Sequence, residues 1–244
     1  MIINNRDIRS VIRIFRILLP AALIVLSICP SWNNITGNSM ASDAPDKIID
    51  ADNEDVKQLT DPVNTFDYEG NDYLKKDAVK EINELVTNYY KAELELDMDT
   101  LEGLVSDIEQ VDYTKLQMQL EYMESIDNII CYSIDGDVEG TYRVYVYYDM
   151  KLRGIDTPAP ALSALYVTMS SDGGYIVYLS ELDSETQEFI IQSDESEEVL
   201  ILKALVEQRF ESVVESDEAL KNFVGSLNVD DAESEAVSDA ALQG

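Results

Sequence analysis

Residues 142–151 read YRVYVYYDMK, and this run decides the fold. Tyr142, Val144, Val146 and Tyr148 alternate with Arg143, Tyr145, Tyr147 and Asp149, the two-residue period of a strand. Aromatic and β-branched side chains suit a pleated, half-buried surface. The second set carries two charges, so Val144 and Val146 are expected to face the core. Arg143 and Asp149 are then expected in water near the strand ends. Tyr145 and Tyr147 fall on the opposite face, which is expected to be open and forms a candidate partner surface.

Strand signals continue on both sides of this run. Upstream, Ile129–Ile134 is a strand ended by Asp135-Gly136. Downstream, Gly154–Pro160 (GIDTPAP) interrupts the ladder, because proline cannot donate to it. Ala161–Met169 and Tyr175–Leu179 give two more strands, joined by a Ser-Asp-Gly-Gly turn. Four antiparallel strands in succession result.

The period before the strands is helical. Asp77–Leu94 places Ala78, Ile82, Leu85, Val86 and Tyr89 on one stripe. Asp99-Thr100-Leu101-Glu102 is a capping-box pattern that opens a short second helix, with Asp99 as the cap. A third helix is expected over Tyr113–Asp127, with Leu116, Leu120, Met123 and Ile126 as its seam. After the strands, Asp183–Gln192 fits helix or strand. Ser196–Glu215 is a helix lined by Val199, Leu202, Leu205, Val206, Phe210 and Val213, and Glu218–Ser226 is another. The class expected is α+β: three N-terminal helices packed on a curved four-stranded antiparallel sheet, cone-like, followed by C-terminal helices.

This order resembles the nuclear transport factor 2-like superfamily, which includes ketosteroid isomerase-like cones. The resemblance rests on Val86-Thr-Asn-Tyr89-Tyr90-Lys-Ala92, on Asp99-Thr100-Leu101-Glu102-Gly-Leu104-Val105-Ser-Asp107, and on the Tyr142–Tyr148 strand with its following hairpin. It covers about residues 77–180. The resemblance implies helices and sheet enclosing a pocket, which members use for ligands, catalysis or pairing. Members with acid–base chemistry place a carboxylate there with a tyrosine or histidine. The nearest pocket candidates in this chain are Tyr89, Tyr90, Asp107 and Tyr122. Aromatic residues at helical spacing also read as packed core.

Charge is segregated along the chain. Its net charge is −32, yet Arg6, Arg9, Arg13 and Arg16 against Asp7 give the first 41 residues +3, which leaves −35 for the remainder. The uncharged run Ile17–Cys29 follows the arginines. A basic, then apolar, then polar layout is that of a signal peptide or membrane anchor. The run is 13 residues, and a bilayer span takes roughly 20. Cleavage near Ser39-Met40-Ala41, retention as an anchor, and lipidation at Cys29 in the lipobox-like Leu26-Ser27-Ile28-Cys29 are the three fates. The resulting organisation is a targeting segment over 1–41, a disordered acidic linker over 42–72, the folded domain over 73–227 and a disordered acidic tail over 228–244.

Composition excludes several chemistries. The chain has no histidine, which removes Ser-His-Asp and Cys-His catalysis and histidine-ligated metals. Cys131 is the one thiol outside the targeting segment and reads as a small buried hydrophobe. No dinucleotide-binding or phosphate-binding glycine motif occurs, and so acidic a body would be repelled by nucleic acid. No cofactor or metal is expected. Asp135-Gly-Asp137-Val-Glu139-Gly140 copies the opening of a calcium loop, but the twelfth position, which needs a bidentate acid, is Val146. A solvated hairpin turn accounts for the string.

The function these observations favour is an exported or membrane-anchored bacterial protein whose domain serves non-catalytic binding or assembly. Its partners would be the membrane through an uncleaved N-terminal segment, and a second copy or an envelope protein through the domain. The alternatives are a small-molecule isomerase or dehydratase using a pocket carboxylate with tyrosine, and a structural cell-envelope protein. The calcium-like string makes one prediction. Calorimetric titration should detect no tight, stoichiometric calcium, whereas one tight ion per chain would reinstate Asp135–Gly140 as a site.

Overall fold

The computed structural model describes residues 25–26, 49–50 and 52–226. Chain order runs β1 (Val25–Leu26), α1 (Glu54–Thr60), β2 (Lys75–Lys76), α2 (Lys80–Glu95), α3 (Met98–Glu102), a 3-10 turn (Ile108–Gln110) and α4 (Tyr113–Leu120). It continues with β3 (Met123–Asp135), β4 (Thr141–Leu152), β5 (Ala159–Met169), β6 (Tyr175–Val177), α5 (Ser184–Asp194) and α6 (Glu197–Ser216), then α7 over 218–226. The fold is α+β. Its sheet has the order β1-β5-β4-β3-β2, with β6 also on β5. All pairings are antiparallel except that of the two-residue β1, which runs parallel to β5.

Both faces of this sheet are covered. On the first face Cys131, Val144, Val146, Tyr148, Leu165 and Val167 form one core with Ile82, Leu85, Val86 and Tyr89 of α2, Leu101 of α3 and Leu116 of α4. On the second face Tyr132, Ile134, Tyr145, Tyr147, Leu162 and Ala164 form another with Val199, Leu202, Leu205 and Val206 of α6. Alternation along β4 sends even-numbered residues to one core and odd-numbered residues to the other, as the pleat requires. Val213 near the end of α6 and Leu220 of α7 join the first core, so the C-terminal helices contribute to both layers.

The acidic surplus has a structural use at the helix starts. Asp97, Asp112 and Asp183 are the N-caps of α3, α4 and α5, accepting from Thr100, Lys115 and Thr186 amides. Asp217 Oδ1 accepts from the Leu220 amide at 3.0 Å and starts α7. A carboxylate there satisfies an orphan N–H and complements the helix dipole. The cap of α3 is therefore Asp97, two residues before the expected Asp99. Leu96, with φ 53°, closes α2 in the left-handed region, its N–H bonding to the Ala92 and Glu93 carbonyls.

Several expectations are corrected. Among the described residues four α-helices, not three, precede the long strands, and the sheet has six strands in place of four. The third helix stops at Leu120, and β3 takes over Met123–Asp135. Met123 and Ile126 fit a helical seam, but pairing with Leu152 and Met150 overrides it. Asp183–Gln192 resolves as helix within α5. Tyr145 and Tyr147 do lie opposite Val144 and Val146, but that face is closed by α6, and they are 0% and 1% exposed. They form no open partner surface. Arg143 is also buried, at 3% exposure.

The expected linker is partly folded into the domain. Phe66 is 2% exposed and stacks on Tyr147 with ring centroids 4.2 Å apart and an interplanar angle of 13°. Arg209 of α6 donates to the carbonyls of Leu59 (2.9 Å), Asp61 (2.8 Å) and Asn64 (2.6 Å). That segment has no apolar period of its own; α6 supplies its order. The expected tail and most of the targeting segment lie outside the described residues. No helix among the described residues is long and apolar enough to cross a membrane.

Arg209→Met keeps the aliphatic stem and removes the three donors. It should lower stability by about 3 kcal/mol, the scale of charge-assisted hydrogen bonds, and speed amide exchange across 54–66. Unchanged exchange there would refute the clamp.

Candidate functional site

The first core contains an ionisable group where an apolar one is expected. Ile82, Val86 and Tyr89 mark a stripe on α2, and Glu93 follows four residues after Tyr89 on the same side. Glu93 is 6% exposed. It accepts a hydrogen bond from Tyr89, while its Oε1 is buried with no partner among the described residues. Burial raises its pKa to about 7, against the opposing influence of the Tyr89 hydrogen bond and the Lys115 charge. Ionising a carboxyl away from water is costly, so it stays neutral up to that range.

Its surroundings come from four further elements. Tyr148 of β4 is fully enclosed, and burial followed by the nearby Glu93 charge raises its pKa. Tyr90, next to Tyr89, shares a hydrogen bond with Ser163 of β5, and its ring lies 5.3 Å from that of Tyr148. The Tyr89 and Tyr90 rings meet edge to face at 5.6 Å. Lys115 of α4 is half-buried, and desolvation lowers its pKa. Cys131 of β3 is buried nearby, which pushes its thiol up to about 12 and leaves it unreactive as a nucleophile.

The structure thus brings Tyr89 and Tyr90 together with a carboxyl, but the carboxyl is Glu93. Asp107 is elsewhere: it caps the 3-10 turn, accepting from the Glu109 amide at 3.0 Å and from Gln110 Nε2 at 3.2 Å. Tyr122 packs against Phe223 with centroids 6.2 Å apart. Glu93, Lys115 and Ser163 were not singled out by sequence, and Tyr148 was read only as a strand residue. The available signal was an acid occupying the next position of an apolar helical stripe. Chemically, the cluster can hold or release one proton near neutral pH. Its tyrosines are 1% exposed, so it is closed to bulk solvent.

A second polar cluster pins the other face. Arg143 Nε and Nη2 donate to Asp194 Oδ1 and Oδ2 at 3.1 and 3.0 Å. The Tyr145 hydroxyl donates to the same Oδ1 at 2.5 Å. Lys203 Nζ donates to the Asp194 carbonyl at 2.8 Å. Burial depresses the Arg143 pKa, but Asp194 and Tyr145 outweigh it and hold the guanidinium charged. Asp194 is the last residue of α5. This pair ties the α5–α6 corner to β4. The Asp135–Gly140 string is the turn between β3 and β4, with Asp135 paired to Lys75.

Among the described residues, no group of three or more His, Cys, Asp or Glu side chains is arranged to hold a metal. No protein-family model matches the chain, and neither a curated protein nor a solved structure shows significant similarity to it.

Asp194→Asn should cost roughly 3–5 kcal/mol, because Arg143 keeps a buried charge without its counter-ion. Arg143→Met combined with Asp194→Leu should recover much of that loss in urea unfolding. A double variant no more stable than Asp194→Asn would show that the pair contributes more than mutual neutralisation.

Proposed function

We propose that this chain is an exported or membrane-anchored bacterial envelope protein whose α+β domain, cone-like in the manner of the nuclear transport factor 2-like superfamily, serves binding or assembly. One observation carries the preference for a non-catalytic role. The carboxyl–tyrosine group that acid–base chemistry would use is packed shut, with Tyr89, Tyr90 and Tyr148 each 1% exposed. α2 and α3 against β3–β5 support the cone-like reading, and α6 on the second face is an addition to it. Export is supported by the four arginines before Ile17–Cys29 and the −35 beyond residue 41.

The second reading is an isomerase- or dehydratase-like enzyme. The partnerless Glu93 Oε1 beside Tyr89 favours it, since a neutral carboxyl near its pKa is suited to proton transfer. The third reading is a structural envelope protein, in which the domain has no ligand.

Fractionation of producing cells tests the preferred reading. The full chain should be found in membrane or medium, and a chain beginning at Ser42 should stay in the cytoplasm. In-cell crosslinking of the exported form should then capture a second copy or one reproducible envelope protein. Full-length protein free in the cytosol would sink the export reading, and a monomer without crosslinks would sink the binding role.

A further inference from the structure

Glu93 is buried on the side of α2 that faces α4 and β4. The groups facing it are Tyr89 of its own helix, Tyr148 of β4 and Lys115 of α4. Tyr90 comes next, and beyond it Cys131 of β3. Lys115 is the one cation whose charge acts on Glu93 among the described residues, and it is itself partly desolvated. Neutral, the carboxyl suits this site: it accepts from Tyr89 and carries no charge into an aromatic interior. Ionised, it has a bare buried oxygen and no direct salt bridge.

We propose that Glu93 is a proton-operated latch: neutral, it seats α2 against α4 and β4; ionised, it leaves a poorly compensated charge in the aromatic interior and loosens the α2–α4 contact. The bistable element is the contact between α2 and α4, because those two helices carry the acid and the cation. Exported proteins meet the pH of their surroundings directly, so such a device would make the domain's rigidity follow external acidity. The latch depends on neither the binding nor the catalytic reading.

The sign is fixed by the direction of the shift. The folded-state pKa is raised from 4.5 to about 7, so the stabilisation is complete below the unfolded value and is lost as pH rises through the folded one. Loss of the Glu93 contribution should raise the unfolding constant on the order of a hundredfold between pH 5 and 8. The uniform acidic surface also responds to pH, and comparison with Glu93→Gln removes that background.

The experiment follows amide exchange of 113–120 in the full chain from pH 5.5 to 8.5, corrected for intrinsic rates. Wild type should open roughly tenfold or more as pH rises, whereas Glu93→Gln should stay flat. Lys115→Met should move the transition to higher pH, because the cation that favours ionisation is gone. Parallel profiles for wild type and Glu93→Gln would overturn the latch. Should the glutamine variant not fold, carboxyl carbon-13 titration of Glu93 in wild type decides: a midpoint near 7 sustains the proposal, and one in the ordinary carboxylate range overturns it.

Discussion

β4 is buried on both faces, and that constraint governs the rest of the structure. A strand with one wet face needs a single covering layer; this one needs two. Val144, Val146 and Tyr148 require α2, α3 and α4, while Tyr145 and Tyr147 require α6 and the 59–74 segment. Once both layers are in place, the polar residues of β4 must find partners inside. Arg143 does so through Asp194, and the Tyr147 hydroxyl through Asp149 at 2.7 Å. An unpaired charge or donor in those positions would cost several kcal/mol.

The two faces solve this problem differently. On the second face most polar groups are matched: Arg143 and Tyr145 to Asp194, the Arg209 Nη atoms to three carbonyls while its Nε stays buried without a partner among the described residues, and Tyr132 to the Tyr68 carbonyl at 2.8 Å. These are fixed pairs that hold elements in register. On the first face Glu93 is matched on one oxygen only. Its resolution is protonation, a charge state that depends on the medium. Matched charges make the α6 layer a scaffold, and the half-matched carboxyl makes the α2–α4 layer the responsive part of the domain.

Much of the secondary structure could be read in the chain. The alternation from Tyr142 onward, the Ser-Asp-Gly-Gly turn and the helical stripes of α2 and α6 are local signals, and each element is present. Val144 and Val146 share one face as the alternation requires, but the neighbouring charges did not mark a wet side, because Arg143 is buried as well. Errors gathered where local pattern and tertiary pairing competed. Met123 and Ile126 have helical spacing but gain more from the ladder with β4. Asp99 and Asp97 both offer a cap, and the chain uses the earlier one. Asp183–Gln192 had no decisive period, and Asp183 capping supplied what the pattern lacked.

By itself the sequence determined the α+β order, the segregation of charge and the absence of histidine chemistry, because each depends on residues close together or on composition. Only the tertiary structure decided that Tyr145 and Tyr147 are covered, that Arg143 is inside, and that 54–66 belongs to the domain. Each of those facts rests on a partner far along the chain: α6 for the tyrosines, Asp194 for Arg143, Arg209 for Leu59, Asp61 and Asn64. Burial of Glu93 is of the same kind. An acid on a helix is ordinarily solvated, and what makes this one unusual is the sheet face it meets, which no local pattern encodes.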